Sequence, residues 1–98
     1  MSDIINDDFE WDDEKARLNV INHHVMFEEA VAVFADPFVI FAADPLHSIE
    51  EKRFLALGIT TGQRFLVISY TERESRFRLI SAREGEPHER RAYEEDEL

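Results

Sequence analysis

Cysteine is absent from this 98-residue chain, and glycine and proline occur only three times each. Without cysteine the chain can form no disulfide bond and offers no thiolate to a soft metal. No apolar run approaches the roughly 20 residues that a membrane-spanning helix needs, so we expect no membrane segment. The first residues lack both the basic and the apolar region of a secretory signal. These absences predict a cytoplasmic protein.

Common catalytic motifs are also missing. The chain has no glycine-rich phosphate loop, nucleophile elbow, HExxH pair or dinucleotide fingerprint. His23 and His24 lie near two glutamates, but the other two histidines are far along the chain and give no third ligand at a recognisable spacing. We therefore expect no metal and no cofactor. His23 either stabilises the end of a helix through its dipole or acts as a general acid or base.

The net charge of −11 comes from the two ends of the chain. Residues 1–14 carry seven acids and no base, and residues 84–98 carry seven acids and two arginines. This leaves 8 of the 22 acids and 9 of the 11 bases to residues 15–83, which are nearly neutral. Net charge alone argues against binding nucleic acid, since affinity for phosphate comes largely from Lys and Arg. The acidic ends are typical of solvated faces or tails.

Apolar periodicity predicts a single domain over residues 1–98 with the order β-α-α-β-β-β-β-α. Residues 1–8 have little periodicity, and we expect them to fray. The strands are predicted from alternation and β-branched or aromatic content, and the helices from i, i+3, i+4 spacing and capping residues. The predicted strands cover residues 9–11, 38–41, 53–59, 64–71 and 76–83, and the predicted helices cover residues 13–23, 27–34 and 87–95.

This order predicts the α+β class, with helices segregated to one face of a sheet. Two N-terminal helices should pack on a twisted antiparallel β-sheet meander, and a C-terminal helix should follow it. The opposite face of the sheet is then half open. An antiparallel sheet with one solvated face can hold a site there.

The last predicted strand carries the densest positive charge of the chain. Strict alternation places Arg76 and Arg78 on one face of that strand and Arg83 on the other. Arginine suits phosphate because its planar fork donates bidentate hydrogen bonds. The alternative is that these arginines and their neighbours Arg53, Arg64 and Arg73 form surface ion pairs with nearby glutamates. Lys15, Asn19 and His23 form a polar stripe on the first helix.

One set of short motifs, taken in order, resembles the BrnT toxin family over residues 9–95. These motifs are Phe9-Glu-Trp-Asp, Lys15, Asn19, His23, Phe27-Glu-Glu-Ala, Phe34-Ala-Asp-Pro, Glu51-Lys-Arg-Phe, Gly58, Leu66-Val, Tyr70-Thr-Glu-Arg, Arg78-Leu-Ile-Ser-Ala-Arg and Glu89-Arg-Arg-Ala-Tyr-Glu. The resemblance implies a RelE-like fold and a ribonuclease toxin of a type II toxin–antitoxin system that arrests translation. It also implies a BrnA-type antitoxin, a heterotetramer, and contact with operator DNA only through the antitoxin.

The resemblance also directs attention to particular side chains. Metal-independent RNA cleavage needs a base, an acid and cations around the phosphate. Arg53, Arg78 and Arg83 are the hypothesised phosphate ligands, and Tyr70 or His23 is hypothesised to move protons or stack on a base. The accompanying RNA-binding residues are Arg73, Lys15 and Arg76.

The chain departs from the family pattern at two places. His24 and Met26 stand where relatives usually have Gly and Ser, which predicts a differently built loop. Glu84 and Glu86 follow the arginine strand where relatives tend to continue with basic residues. These acids leave a second hypothesis open, a catalytically weak or inactive module that binds its antitoxin and co-represses the operon.

Overall fold

The computed structural model describes residues 3–5 and 8–95 and has an α+β architecture. Six strands form one sheet in the order β1-β2-β6-β5-β4-β3. The strands are β1 (Asp3–Ile5), β2 (Phe9–Asp12), β3 (Ile40–Ala43), β4 (Phe54–Ile59), β5 (Phe65–Arg73) and β6 (Arg76–Glu84). The helices are α1 (Asp13–His23), α2 (Phe27–Ala30) and α3 (Pro87–Glu94), and two 3₁₀ helices cover Val31–Ala35 and Pro45–His47.

The predicted class and the order of the predicted elements are confirmed, with two differences in the sheet. Asp3–Ile5, within the segment expected to fray, forms a strand antiparallel to β2. β2 then pairs in parallel with β6, so the sheet is mixed rather than a purely antiparallel meander. Parallel neighbours need a long crossover connection, and the rest of the chain between β2 and β6 supplies it.

One face of the sheet packs against α1, α2 and the 3₁₀ helix that follows. Its fully buried residues include Phe27, Leu66 and Leu79. Tyr70 also lies here, with its ring 5.2 Å from that of Phe34. We call this the helix face, and it forms the larger of the two hydrophobic clusters.

The opposite face, called the second face below, is partly covered by α3. Tyr93 of α3 packs against the smaller cluster around Phe65 and Val67. The Tyr93 hydroxyl donates a 2.6 Å hydrogen bond to Asp36, which also accepts from the backbone of Ile59. Burial opposes ionisation of Asp36, yet these hydrogen bonds outweigh it and lower its pKa. Burial and the Asp36 charge raise the pKa of Tyr93 to about 12.

A β-bulge at Ile80 changes the face of the sheet to which the later side chains of β6 point. Ser69 pairs with Ser81 while its neighbour Tyr70 pairs with Leu79, so Ile80 has no cross-strand partner. The alternation that sequence predicts for β6 is therefore wrong beyond this point. Because directly paired residues share a face, Arg83 opposite Val67 lies on the second face with Arg78.

The turn after α1 keeps a left-handed cap in spite of its unusual residue. His24 adopts φ 59° and ψ 33°, and its N–H donates to the carbonyl of Val20. The loop is thus capped as a glycine would cap it, at a steric cost of roughly 1–2 kcal/mol for an L-residue in this region. Met26 is the N-cap residue of α2, and its side chain makes no capping hydrogen bond.

Candidate functional site: an arginine row beside a cleft on the central strand

α1 is fixed to β6 by one buried side chain. Asn19 is 5% exposed, and its amide nitrogen donates to the carbonyls of Ala82 (2.8 Å) and Val25 (2.9 Å). Its amide oxygen accepts from the N–H of Ala82 at 3.0 Å. β2 pairs with β6 only at Phe77 and Arg78. Asn19 therefore supplies hydrogen-bond partners to the backbone of β6 at Ala82, where no described strand pairs with that edge.

A cleft of about 240 Å³ lies between α1 and the bulged part of β6. It brings the predicted residues Lys15 and His23 together with Ile80 and Ser81. His23 is solvent-exposed at the last turn of α1. Because Ile80 and Ser81 lie between Arg78 and Arg83 along β6, the cleft opens beside the segment that joins the two arginines. The full lining is Lys15, Leu18, Asn19, Asn22, His23, Ile80 and Ser81.

Arg78 is held by a buried carboxylate that sequence reasoning did not select. Its Nη1 atom lies 2.7 Å from Oε2 of Glu10, and the two side chains are only 16% and 7% exposed. Glu10 sits opposite Arg78 in the parallel β2–β6 pair. The alternation of Phe9, Glu10 and Trp11 could have shown that Glu10 faces away from the helices, but its partner depends on the unforeseen parallel pairing.

Arg83 is tied to α3 by a second carboxylate. Its Nη1 and Nη2 atoms lie 2.9 and 2.8 Å from the two carboxylate oxygens of Glu89, a bidentate pair. This hydrogen-bonded pair lowers the pKa of Glu89 to about 2 in spite of partial burial, and it raises the pKa of Arg83. Glu89 also accepts the N–H of Glu86 at the start of α3.

Arg73 and Arg76 complete the row on the second face. They pair across the β5–β6 hairpin, whose turn residues Glu74 and Ser75 both have positive φ. Arg73 is half exposed, and its Nη2 lies 3.7 Å from a carboxylate oxygen of Glu51. The four arginines Arg73, Arg76, Arg78 and Arg83 are called the arginine row below.

Arg53 and Arg64 stand apart from this row. Arg53 precedes β4 and borders a cavity of about 320 Å³ under the loop of residues 46–51. Its Nε atom is buried without a hydrogen-bond partner. Arg64 joins elements instead, since it bonds Glu29, the carbonyl of His24 and Glu84 at 2.9, 3.2 and 3.2 Å. The acid at Glu84 thus has a partner of its own.

Tyr70 does not join the arginines. It is 4% exposed on the helix face, among the rings of Phe34, Phe54 and Phe77. Burial, with a smaller contribution from Glu72, raises its pKa to about 12. Its phenol therefore stays neutral and lies on the opposite side of the sheet from the row.

The described residues show neither a metal centre nor a membrane segment. Within residues 3–5 and 8–95, no three His, Asp or Glu side chains are grouped to hold a metal ion. No helix in this part of the chain is long and apolar enough to cross a bilayer. What the site offers is fixed guanidinium groups, an exposed imidazole and a lysine, a set suited to binding a polyanion and moving a proton.

Comparison with known proteins identifies the family. The profile described as "Ribonuclease toxin, BrnT, of type II toxin-antitoxin system" matches residues 11–89. The fold is similar to the 1.1 Å crystal structure of the Brucella abortus ribonuclease toxin BrnT, with a TM-score of 0.57 and 19% identity over 78% of this chain and 92% of that one. A search of curated protein sequences finds no match. Because the profile spans well over half of its length, the chain belongs to the BrnT family of type II toxin–antitoxin ribonuclease toxins.

Proposed function

We propose that this chain is a metal-independent endoribonuclease that acts in the cytoplasm and arrests translation until an antitoxin neutralises it. The antitoxin is of the BrnA type, assembles with the toxin as a heterotetramer, and supplies the DNA-binding part that represses their operon. The observation that carries the proposal is the bulge at Ile80. It supports a phosphate site because it puts Arg78 and Arg83 on one face, on either side of Ile80 and Ser81, the two β6 residues that line the cleft with His23.

The chemistry follows from the charges of these groups. Cleavage at an RNA phosphate proceeds through a pentacoordinate anion, which fixed cations stabilise. Arg78 and Arg83 hold the scissile phosphate, and Arg53, which lies immediately before the start of β4, reaches toward it from outside the row. His23 transfers the proton, since an imidazole can both accept and donate one and this side chain is exposed on the cleft wall. Arg73, Arg76 and Lys15 contact the flanking RNA.

The carboxylates that hold the arginines act differently on the two sides of the cleft. Glu10 is buried and fixes Arg78 in one orientation, so that little reorganisation is needed when phosphate arrives. Glu89 holds Arg83 at a more exposed position, where the Arg83 side chain is 39% exposed. Phosphate must therefore compete with Glu89 for Arg83, which weakens RNA binding compared with an unpaired arginine.

The test is cleavage of labelled RNA by purified, antitoxin-free protein in the presence of EDTA. Arg83→Ala and Arg78→Lys should each reduce the rate by about 100-fold or more, a loss typical of removing a group that stabilises transition-state charge. Arg78→Lys keeps a charge beside Glu10 and so limits misfolding. Arg17→Ala is the matched control, since Arg17 is an exposed arginine of α1 paired with Glu14. Unchanged cleavage by both folded site variants, or dependence on a divalent metal, would refute the proposal.

A second candidate is supported by the same ion pairs. Arg78 and Arg83 already have carboxylate partners. Where β6 leads into α3, Glu84 is itself paired with Arg64, and Glu86 adds negative charge. Such neutralised arginines suit a module that binds its antitoxin and co-represses the operon without cutting RNA. Growth arrest on expression, relieved by co-expressed antitoxin, supports the ribonuclease. Harmless expression combined with tight antitoxin binding supports the module.

A further inference from the structure

β3 is an edge strand of the sheet, and no described strand pairs with its outer side. The strand reads Ile40-Phe-Ala-Ala, carries no charge, and is exposed at its last three residues. Proteins usually protect such an edge with charged side chains, proline or a covering loop, because its unpaired backbone groups template another strand. The four residues of β3 carry none of these side chains. This edge therefore has the features of a pairing surface.

The register shows which backbone groups point outward. The N–H of Asp44 donates to the carbonyl of Arg53 at 2.9 Å, which makes that pair a hydrogen-bonded one. Such pairs alternate along an antiparallel ladder. Ile40 and Ala42, which pair with Leu57 and Leu55, therefore turn their backbone groups toward β4. The N–H and C=O groups of Phe41 and Ala43 face away from the sheet.

A groove lined mostly by apolar residues adjoins this edge. Its volume is about 690 Å³, and residues 37–41 line it together with Tyr93 and Glu94 of α3. Phe38 is 73% exposed and Phe41 is 52% exposed. Recognition by strand addition has two components, a free strand edge and a neighbouring groove that accepts side chains. Exposed apolar side chains in a groove beside β3 provide the second of these. The backbone would supply affinity and the groove would select side chains.

The charge around the edge indicates the kind of occupant. Residues 36–51, which include β3 and most of the groove lining, contain four acidic residues and not one lysine or arginine. A second copy of the chain would bring a further net charge of −11 to this surface, which disfavours self-pairing. A basic segment would instead be attracted and oriented. Glu94, which is paired with Arg90 at 2.9 Å, adds a carboxylate at the groove itself.

We propose that the outer edge of β3 docks an extended segment of the antitoxin by strand addition. The segment alternates apolar residues, which enter the groove, with lysine or arginine, which meets the acids around it. This inference rests on the proposed function in assuming that the partner is an antitoxin. It goes beyond the proposed function by naming the strand at which the antitoxin binds and the types of residue in the antitoxin segment that binds there.

Amide hydrogen exchange measured by NMR tests the register directly. The probe is a purified BrnA-type antitoxin, the partner assumed in the proposed function. In the free toxin, the amides of Phe41 and Ala43 should exchange fast and that of Ala42 slowly. In the complex, the amides of Phe41 and Ala43 should become protected, while that of Ala42 changes little. Rapid exchange at Phe41 and Ala43 in a saturated complex would overturn the proposal, and so would protection of both amides in a dimer of the toxin alone.

Two variants test the same surface by affinity. Ala43→Pro removes an N–H that the β3–β4 ladder does not use, and Phe38→Ser removes the most exposed ring of the groove. Each should raise the Kd for the antitoxin by at least about tenfold. Ile21→Ser is the control, since Ile21 is 57% exposed on α1. Equal affinity of Phe38→Ser and the parent, or equal weakening by the control, would contradict the assignment.

The outcomes separate this inference from the proposed function. Failure of the unaltered chain to bind the antitoxin would refute the toxin–antitoxin pairing itself. Tight binding with an unprotected β3 would refute only the docking edge. RNA cleavage by the free chain, measured separately, bears on catalysis and on neither of these.

Discussion

Asn19 hydrogen-bonds both backbone groups of Ala82 and thereby takes the place of a neighbouring strand along the outer part of β6. Asn19→Ala leaves these groups and the carbonyl of Val25 buried without partners. The expected loss of unfolding free energy is about 2–4 kcal/mol, since each unsatisfied group costs roughly 1–3 kcal/mol. Urea denaturation measures it. Asn22→Ala, at an exposed position of the same helix, should change stability by less than about 0.5 kcal/mol. Equal effects would contradict the role given to Asn19.

The buried Glu10–Arg78 pair gives a second prediction. Arg78→Met alone should destabilise the fold by roughly 3–5 kcal/mol, because it leaves the carboxylate of Glu10 buried without its cation. The double variant Glu10→Leu/Arg78→Met should recover most of this loss while remaining inactive on RNA. Chemical denaturation of both variants provides the comparison. A double variant no more stable than the single one would show that Glu10 does not depend on Arg78.

Ionisation of Glu89 links the docking of α3 to pH. Its pKa is about 2 in the folded protein and near 4.5 when unfolded, so the folded state binds fewer protons between these values. The stabilisation is therefore complete above about pH 4.5 and is lost as the pH falls toward 2. The melting temperature of the wild type should exceed that of Glu89→Gln at pH 6, and the gap should close by pH 2. Glu94→Gln should show a much smaller gap. A gap that is constant with pH would disprove the linkage.

The positions of Tyr70 and His23 predict opposite results for two conservative changes. Tyr70→Phe should leave RNA cleavage within about threefold of the parent, since the phenol lies on the helix face and stays neutral. His23→Gln should lower the rate by about 10²–10⁴-fold, the usual range for a general acid or base. Initial rates of RNA cleavage check both, and the large loss should appear only in His23→Gln. The reverse pattern would move proton transfer to Tyr70.

His24 predicts a stabilising substitution. His24→Gly should raise the unfolding free energy by about 0.5–1 kcal/mol, because relief of left-handed strain exceeds the entropy that glycine adds to the unfolded chain. Asn22→Gly, within the helix, should lower it by about 0.5–1 kcal/mol. Thermal unfolding distinguishes the two. Loss of stability in His24→Gly would mean that the imidazole makes a compensating contact.

Local pattern predicts most of this fold because each element has its own signal. The spacing of Phe27, Ala30 and Phe34 and the turn residues around Gly62 mark elements without reference to the rest of the chain. The parallel pairing of β2 with β6 joins Glu10 to Arg78, which lie 68 positions apart in the chain, and no local pattern contains it.

The site is less predictable for the same reason. The arginines of β6 are visible in the sequence, yet their common face depends on a bulge at Ile80 that alternation does not foresee. Glu10 and Glu89 acquire their roles only when β2 and α3 reach β6. His23 and Lys15 could be placed on one stripe of α1, but not beside Ser81.

The position of β6 between β2 and β5 also has a consequence for biosynthesis. The strand that completes the middle of the sheet is the last to be translated, and β2 has no described partner except β1 until it arrives. The sheet therefore cannot close before β6 has been made. Because β6 also carries Arg76, Arg78 and Arg83, these three arginines reach their common face only when that strand joins β5.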